Sequence, residues 1–153
     1  MPTSPARHSA PPRRTVATAI LLAWAVVGAC GGGGPPATPP VFPPQAWQTL
    51  NSASGQYHVE IRTSPQPAIK GDNWGEYRIT DESGAPATGL SVAVRPWMPA
   101  HAHGTSVQPT VVESDLGVYT IQNLLFFMAG HWELRTTIGP SREDVVVPVF
   151  DVN

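Results

Sequence analysis

Two imidazoles and a thioether fall within the six residues Met98-Pro99-Ala100-His101-Ala102-His103. Neutral imidazole suits copper, zinc and nickel, and thioether sulfur selects Cu(I), so these residues suggest a soft metal ion before any other chemistry. His101 and His103, at i and i+2, point to one side if the chain is extended there, which would let both hold one ion. Pro99 blocks strand pairing and Gly104 permits a turn, so the segment reads as a shaped loop at a strand end. A second pair, Met128 and His131, stands three residues apart downstream. The candidate ligands are therefore Met98, His101, His103, Met128 and His131. Three histidines and a water could also hold zinc, although that would leave both methionines unused. In a reading without metal, the methionines fill the core and the histidines bond loop carbonyls. His131 has a further surface reading, as the neighbour of Trp132 on an exposed strand face.

Other chemistries find little to work with. The only cysteine is Cys30, so a mature domain downstream of it has neither a disulfide nor a thiolate ligand. No nucleophile is set beside a base, no carboxylate pair has a recognisable setting, and Gly31 to Gly34 precedes prolines rather than a phosphate-binding helix. The chain is not expected to be an enzyme. Three of its nine basic residues lie before residue 15, leaving six against eleven acidic residues, a balance of −5. No basic cluster follows, which excludes nucleic acid as an expected partner.

The elements that would position the candidate ligands are short strands. Period-two alternation over Tyr57–Arg62, Gly75–Thr80, Leu90–Pro96, Val107–Glu113, Val118–Leu124, His131–Ile138 and Asp144–Phe150 predicts seven of them. The inward residues include Val59, Ile61, Tyr77, Ile79, Val92, Val94, Tyr119, Ile121, Trp132, Leu134 and Ile138. With 18 prolines and 14 glycines marking turns, this predicts an all-β fold, an immunoglobulin-like β-sandwich of about seven strands. Asp115-x-Gly117-x-Tyr119 has the spacing of a tyrosine corner. If successive strands are antiparallel, the loops after the first, third and fifth (residues 63–74, 97–106 and 125–130) share one end of the sandwich. That parity gathers Met98, His101, His103, Met128 and His131 at one end and sends His58 to the other. Trp74 and Trp97 fall near the metal-ligand end, to shield a site or cap the core.

Residues 1–29 read as a lipoprotein signal peptide. Arg7, Arg13 and Arg14 form the positive region and Thr15 to Ala29 the apolar one. As a helix, those fifteen residues span about 22 Å, short of a bilayer core of roughly 30 Å. The segment ends Val27-Gly28-Ala29-Cys30, which resembles the bacterial lipobox and implies cleavage before Cys30 and covalent lipid on it. Residues 30–50 then read as the lipidated cysteine and a disordered Gly/Pro-rich tether, and 51–153 as the β-sandwich domain. The expected setting is export and lipid anchoring to a bacterial membrane, facing periplasm or cell exterior.

Four pieces in order resemble the YtkA-like domain family, which is related to FixH-type domains. They are Asp81-x-x-Gly84-x-Pro86-x-x-Gly89, Met98-Pro99-x-His101-x-His103-Gly104, Gly117-x-Tyr119, and Phe127-Met128-x-Gly130-x-Trp132-x-Leu134. The resemblance implies an immunoglobulin-like sandwich. It also implies an association with copper or with respiratory-oxidase assembly. Ala102 and Ala129 stand where such domains commonly have Gly and Pro. The combined expectation is a membrane-tethered protein that binds or delivers copper, with an envelope or oxidase-assembly protein as partner. The competing expectation is a metal-free immunoglobulin-like interaction module of the envelope.

Overall fold

The computed structural model describes residues 40–140 and 143–153. The signal peptide, lipidation at Cys30 and the tether up to residue 39 lie outside the described residues. Ten strands are present among the described residues: β1 (Gln48–Asn51), β2 (Tyr57–Ser64), β3 (Gly71–Asp81), β4 (Ala93–Met98), β5 (His103–Gly104), β6 (Thr110–Asp115), β7 (Val118–Phe126), β8 (Gly130–Ile138), β9 (Asp144–Val146) and β10 (Val149–Val152). They form two antiparallel sheets, ordered β1-β2-β3-β7-β6 and β10-β8-β4-β5, with β9 also pairing β8. The expected all-β sandwich is the fold.

Alternation decides which side chains meet between the sheets. Val59, Ile61, Tyr77, Ile79, Tyr119, Ile121, Leu124 and Phe126 from the first sheet pack against Val94, Met98, Trp132, Leu134, Ile138, Val146, Phe150 and Val152 from the second. Every residue named above as facing inward on β2, β3, β7 and β8 is buried. A polar contact joins the two layers inside the core: the Tyr77 hydroxyl lies 3.2 Å from Thr136 Oγ1. Burial pushes the Tyr77 phenol far above its ordinary pKa, so it stays neutral and serves as a hydrogen-bonding core residue.

The departures from the predicted strands have local causes. The segment predicted as one strand from Asp144 to Phe150 breaks at Val147-Pro148, and Pro148 O instead accepts from Leu134 N at 2.8 Å. Leu90–Val92 precedes β4 as non-strand chain that still places Val92 in the core. β1, whose first three residues were expected to be tether, pairs β2 from Gln48↔Ile61 to Asn51↔His58. The chain before it is also held: Arg62 Nη2 donates to Pro44 O at 3.2 Å, and Gln66 Nε2 to Gln45 O at 3.1 Å. The folded unit therefore begins before residue 51.

Tyr119 is not a local tyrosine corner. Its hydroxyl donates to Ala87 O at 2.9 Å and accepts from Leu90 N at 3.0 Å, so its partners lie on the β3–β4 connection rather than a few residues upstream. The Asp115–Gly117 turn supplies the tight reversal into β7, with Gly117 at φ 67°.

Candidate metal centre

The strand-parity argument places the candidate ligands correctly by region. β3 and β7 pair Gly71↔Phe126, and β4 and β8 pair Trp97↔Glu133, which brings the end of β4, the end of β7 and the start of β8 to one end of the sandwich. At that end the loop after β4 is not extended as expected. Pro99–His101 makes one 3₁₀ turn, a conformation in which the fixed φ of Pro99 suits the first position. Ala102 then takes the left-handed conformation at φ 52°, and its N–H donates to Pro99 O at 3.2 Å. This reversal returns the chain as β5, with Met98 directly opposite His103 and Trp97 opposite Gly104. Gly104 is required by space: a Cβ there would stand 2.7 Å from Pro96 O.

The reversal brings the two imidazoles together. The His101 and His103 ring centroids are 5.5 Å apart with planes 31° to one another. Two imidazoles sharing one ion through bonds of about 2 Å would place their centroids on the order of 5–6 Å apart. His101 is exposed and His103 half-buried. Nδ1 of His103 is buried with no hydrogen-bond partner among the described residues. A neutral imidazole nitrogen left so costs about 1–3 kcal/mol relative to a satisfied one, and a metal bond would satisfy it.

The methionines of this end differ in burial. Met98 is 1% exposed and belongs to the core. Its terminal methyl lies 3.0 Å from where a Cβ on Gly130 would be, so the absence of a side chain at Gly130 is what lets the thioether reach the loop before β8. Met128, in that loop, is half-buried against the core. The loop is fixed by the Trp132 indole, whose Nε1 donates to Met128 O at 3.0 Å. Phe127 completes the wall, stacked on His103 at 5.3 Å and edge-on to Trp132 at 5.4 Å. Its role was not singled out from the sequence. The available signal was an aromatic beside Met128 in a strand-end position.

His131 does not join the group. Trp132 takes the inward position, so His131 faces out, half-exposed, with Nδ1 2.9 Å from Asp151 Oδ1 across the β8–β10 pair. His58 is at the opposite end, 2.6 Å from Asn51 Oδ1. Among the described residues no three His, Cys, Asp or Glu side chains cluster closely enough to hold an ion. A site here must therefore draw on thioether sulfur. In donor chemistry, the types of His101, His103, Met98 and Met128 suit a soft monovalent ion, and the unpartnered Nδ1 of His103 is a free donor for one.

Of the two tryptophans expected near this end, Trp97 lies on the outer face of the second sheet, with Arg95 and Arg135 over its ring. Trp74 lines a cleft with Pro40, Phe42 and Val112 on the outer face of the first.

The comparisons with known proteins agree with this architecture at the level of family. No curated protein and no solved structure matches the chain. The YtkA-like family model matches residues 51–137, which run from the end of β1 through nearly all of β8 and so contain the whole Met/His group. On that match, spanning more than half of the sequence, the chain belongs to the YtkA-like family.

Proposed function

We propose that the protein is an exported, lipid-anchored copper-binding protein that holds or passes on Cu(I) through His101, His103 and Met98, with Met128 as an additional thioether. The observation that carries this reading is the buried, unpartnered Nδ1 of His103, with a second imidazole 5.5 Å away and a buried thioether on the residue paired opposite. Neutral imidazoles and thioethers together favour Cu(I) over zinc, because zinc gains little from thioether sulfur. The leader ending at Cys30 supports the export and membrane part of the reading. Binding and transfer, not catalysis, is the role proposed. An envelope protein that receives the ion, such as an oxidase-assembly component, is the proposed partner.

Titration of the purified protein with Cu(I) under a competing chelator tests the reading. One equivalent should bind and be lost in the His101→Ala/His103→Ala variant. Equal binding by the double variant, or none by the wild type, would sink it.

One observation favours the metal-free interaction module as a second reading. Val145, Val147 and Val149, each about two-fifths exposed, form an apolar stripe along β9–β10. That reading expects a partner retained in the presence of a copper chelator and lost on Val147→Glu.

A further inference from the structure

The outer face of the second sheet carries an arrangement that the Met/His group does not use. Arg95 and Arg135 stand directly opposite one another on β4 and β8. Like charges in that relation repel. The Trp97 ring holds both in place: the guanidinium carbon of Arg135 is 4.7 Å and that of Arg95 5.6 Å from its centroid. Glu133 pairs Arg135 at 2.9 Å. Arg95 has no carboxylate partner among the described residues. Two guanidiniums thus share one carboxylate on a domain whose overall balance is −5.

They also line a cleft of about 400 Å³, the size of a small-molecule site. Its other walls include Gln108, from the loop between β5 and β6, and Thr137, Ala93 and Val145. The cleft therefore offers charged donors at one side, amide and hydroxyl groups beside them, and short apolar side chains further along.

We propose that this cleft binds a small organic anion, its carboxylate or phosphate head gripped by Arg95 and Arg135 and its short carbon body against Ala93 and Val145. Planar guanidiniums bind such heads through paired hydrogen bonds, and the Trp97 ring has already fixed their positions, which lowers the ordering cost of binding. A concave cleft edged by Gln108 of a loop suits a small ligand. A lipid surface would call for a spread of basic residues that this acidic domain lacks. The site is separate from the metal centre, since Arg95 and Trp97 face outward from β4 where Met98 faces in.

The experiment follows the Trp97 indole and arginine Nε resonances of the full chain at constant ionic strength. Butyrate, succinate, inorganic phosphate and phosphatidylglycerol vesicles are added in separate arms. Saturable shifts with a carboxylate or with phosphate are expected, and which head group binds tighter names the source. Arg95→Gln, an exposed change that should leave the fold intact, should weaken binding about tenfold, and Arg95→Lys should restore only part of it. Linear, non-saturating shifts with every small anion would overturn the proposal. So would saturable binding unchanged in an Arg95→Gln/Arg135→Gln variant, or a response to vesicles alone.

Discussion

The two ends of this sandwich are built from similar residue types and treat their polar groups in opposite ways. At the end away from the candidate metal site, the side chains of Asp144, Asp81 and His58 all have partners. Asp144 accepts from Ser54 N and from Val145 N, Asp81 accepts from Ser83 N and Ala85 N, and His58 pairs with Asn51. At the Met/His end, the His103 Nδ1 is buried without a partner among the described residues, and the buried Met98 is paired opposite it on β4. A closed set of hydrogen bonds holds loops in place, while an unfinished one has capacity left for a ligand. The contrast sets an end of satisfied loops against the end where a metal site is proposed.

The sharpest way to break that contrast is Gly104→Ala. The new Cβ would meet backbone at Pro96 O, which cannot yield as a flexible side chain would. Separation of β5 from β4 should cost about 2–3 kcal/mol in chemical denaturation and abolish copper binding with it. Next in size is Met98→Leu, which nearly conserves volume. Stability should fall by less than about 1.5 kcal/mol. Cu(I) affinity should drop by at least about tenfold, a loss that even outer-shell changes around a metal produce. An unchanged affinity would remove the thioether from the site.

The end of satisfied loops should respond in the other sense. Asp144→Asn is expected to cost about 1–2 kcal/mol of stability while copper binding stays as in the wild type. Burial alone would raise the Asp144 pKa, but hydrogen bonds from Ser52, Ser54 and Val145 outweigh it and bring it to about 2. Its contribution is therefore complete above the ordinary carboxylate value of 3.8 and lost as pH falls toward 2. Melting temperatures of wild type and Asp144→Asn should converge across that window. The smallest effect belongs to Ala102→Gly. Relief of the left-handed strain at φ 52° and the greater freedom of glycine when unfolded nearly offset, so stability should change by about 0.5 kcal/mol or less.

The match between expectation and structure follows the range of the forces involved. Inward residues such as Val59, Ile61, Tyr77, Tyr119, Trp132 and Leu134 were legible because a strand alternates every residue and the core takes one side. The shared location of the loops after β2, β4 and β7 was legible for a related reason: antiparallel connections alternate ends even though the strands number ten rather than seven. β1 was not legible. Thr49 and Leu50 lie beside a proline-rich stretch, and only pairing with β2 makes four residues a strand.

The candidate site divides along the same line. Sequence by itself determined the ligand types, their thiol-free setting and their common end. It also contained, in Gly104 and Gly130, the two side-chain absences that permit close approach. It did not reveal how His101 and His103 meet. The expected extended loop would have aligned them by alternation, whereas a 3₁₀ turn and a left-handed Ala102 bring their rings together by reversing the chain. For His131 the sequence offered two places, a ligand of the group or a surface position beside an inward Trp132, and the structure takes the second. Trp132 is larger and more apolar and took the inward place. Tertiary packing alone determined that Met98 would be buried in the core and the Nδ1 of His103, paired opposite it, left without a partner among the described residues, because burial and hydrogen-bond satisfaction are properties of surroundings contributed by distant parts of the chain.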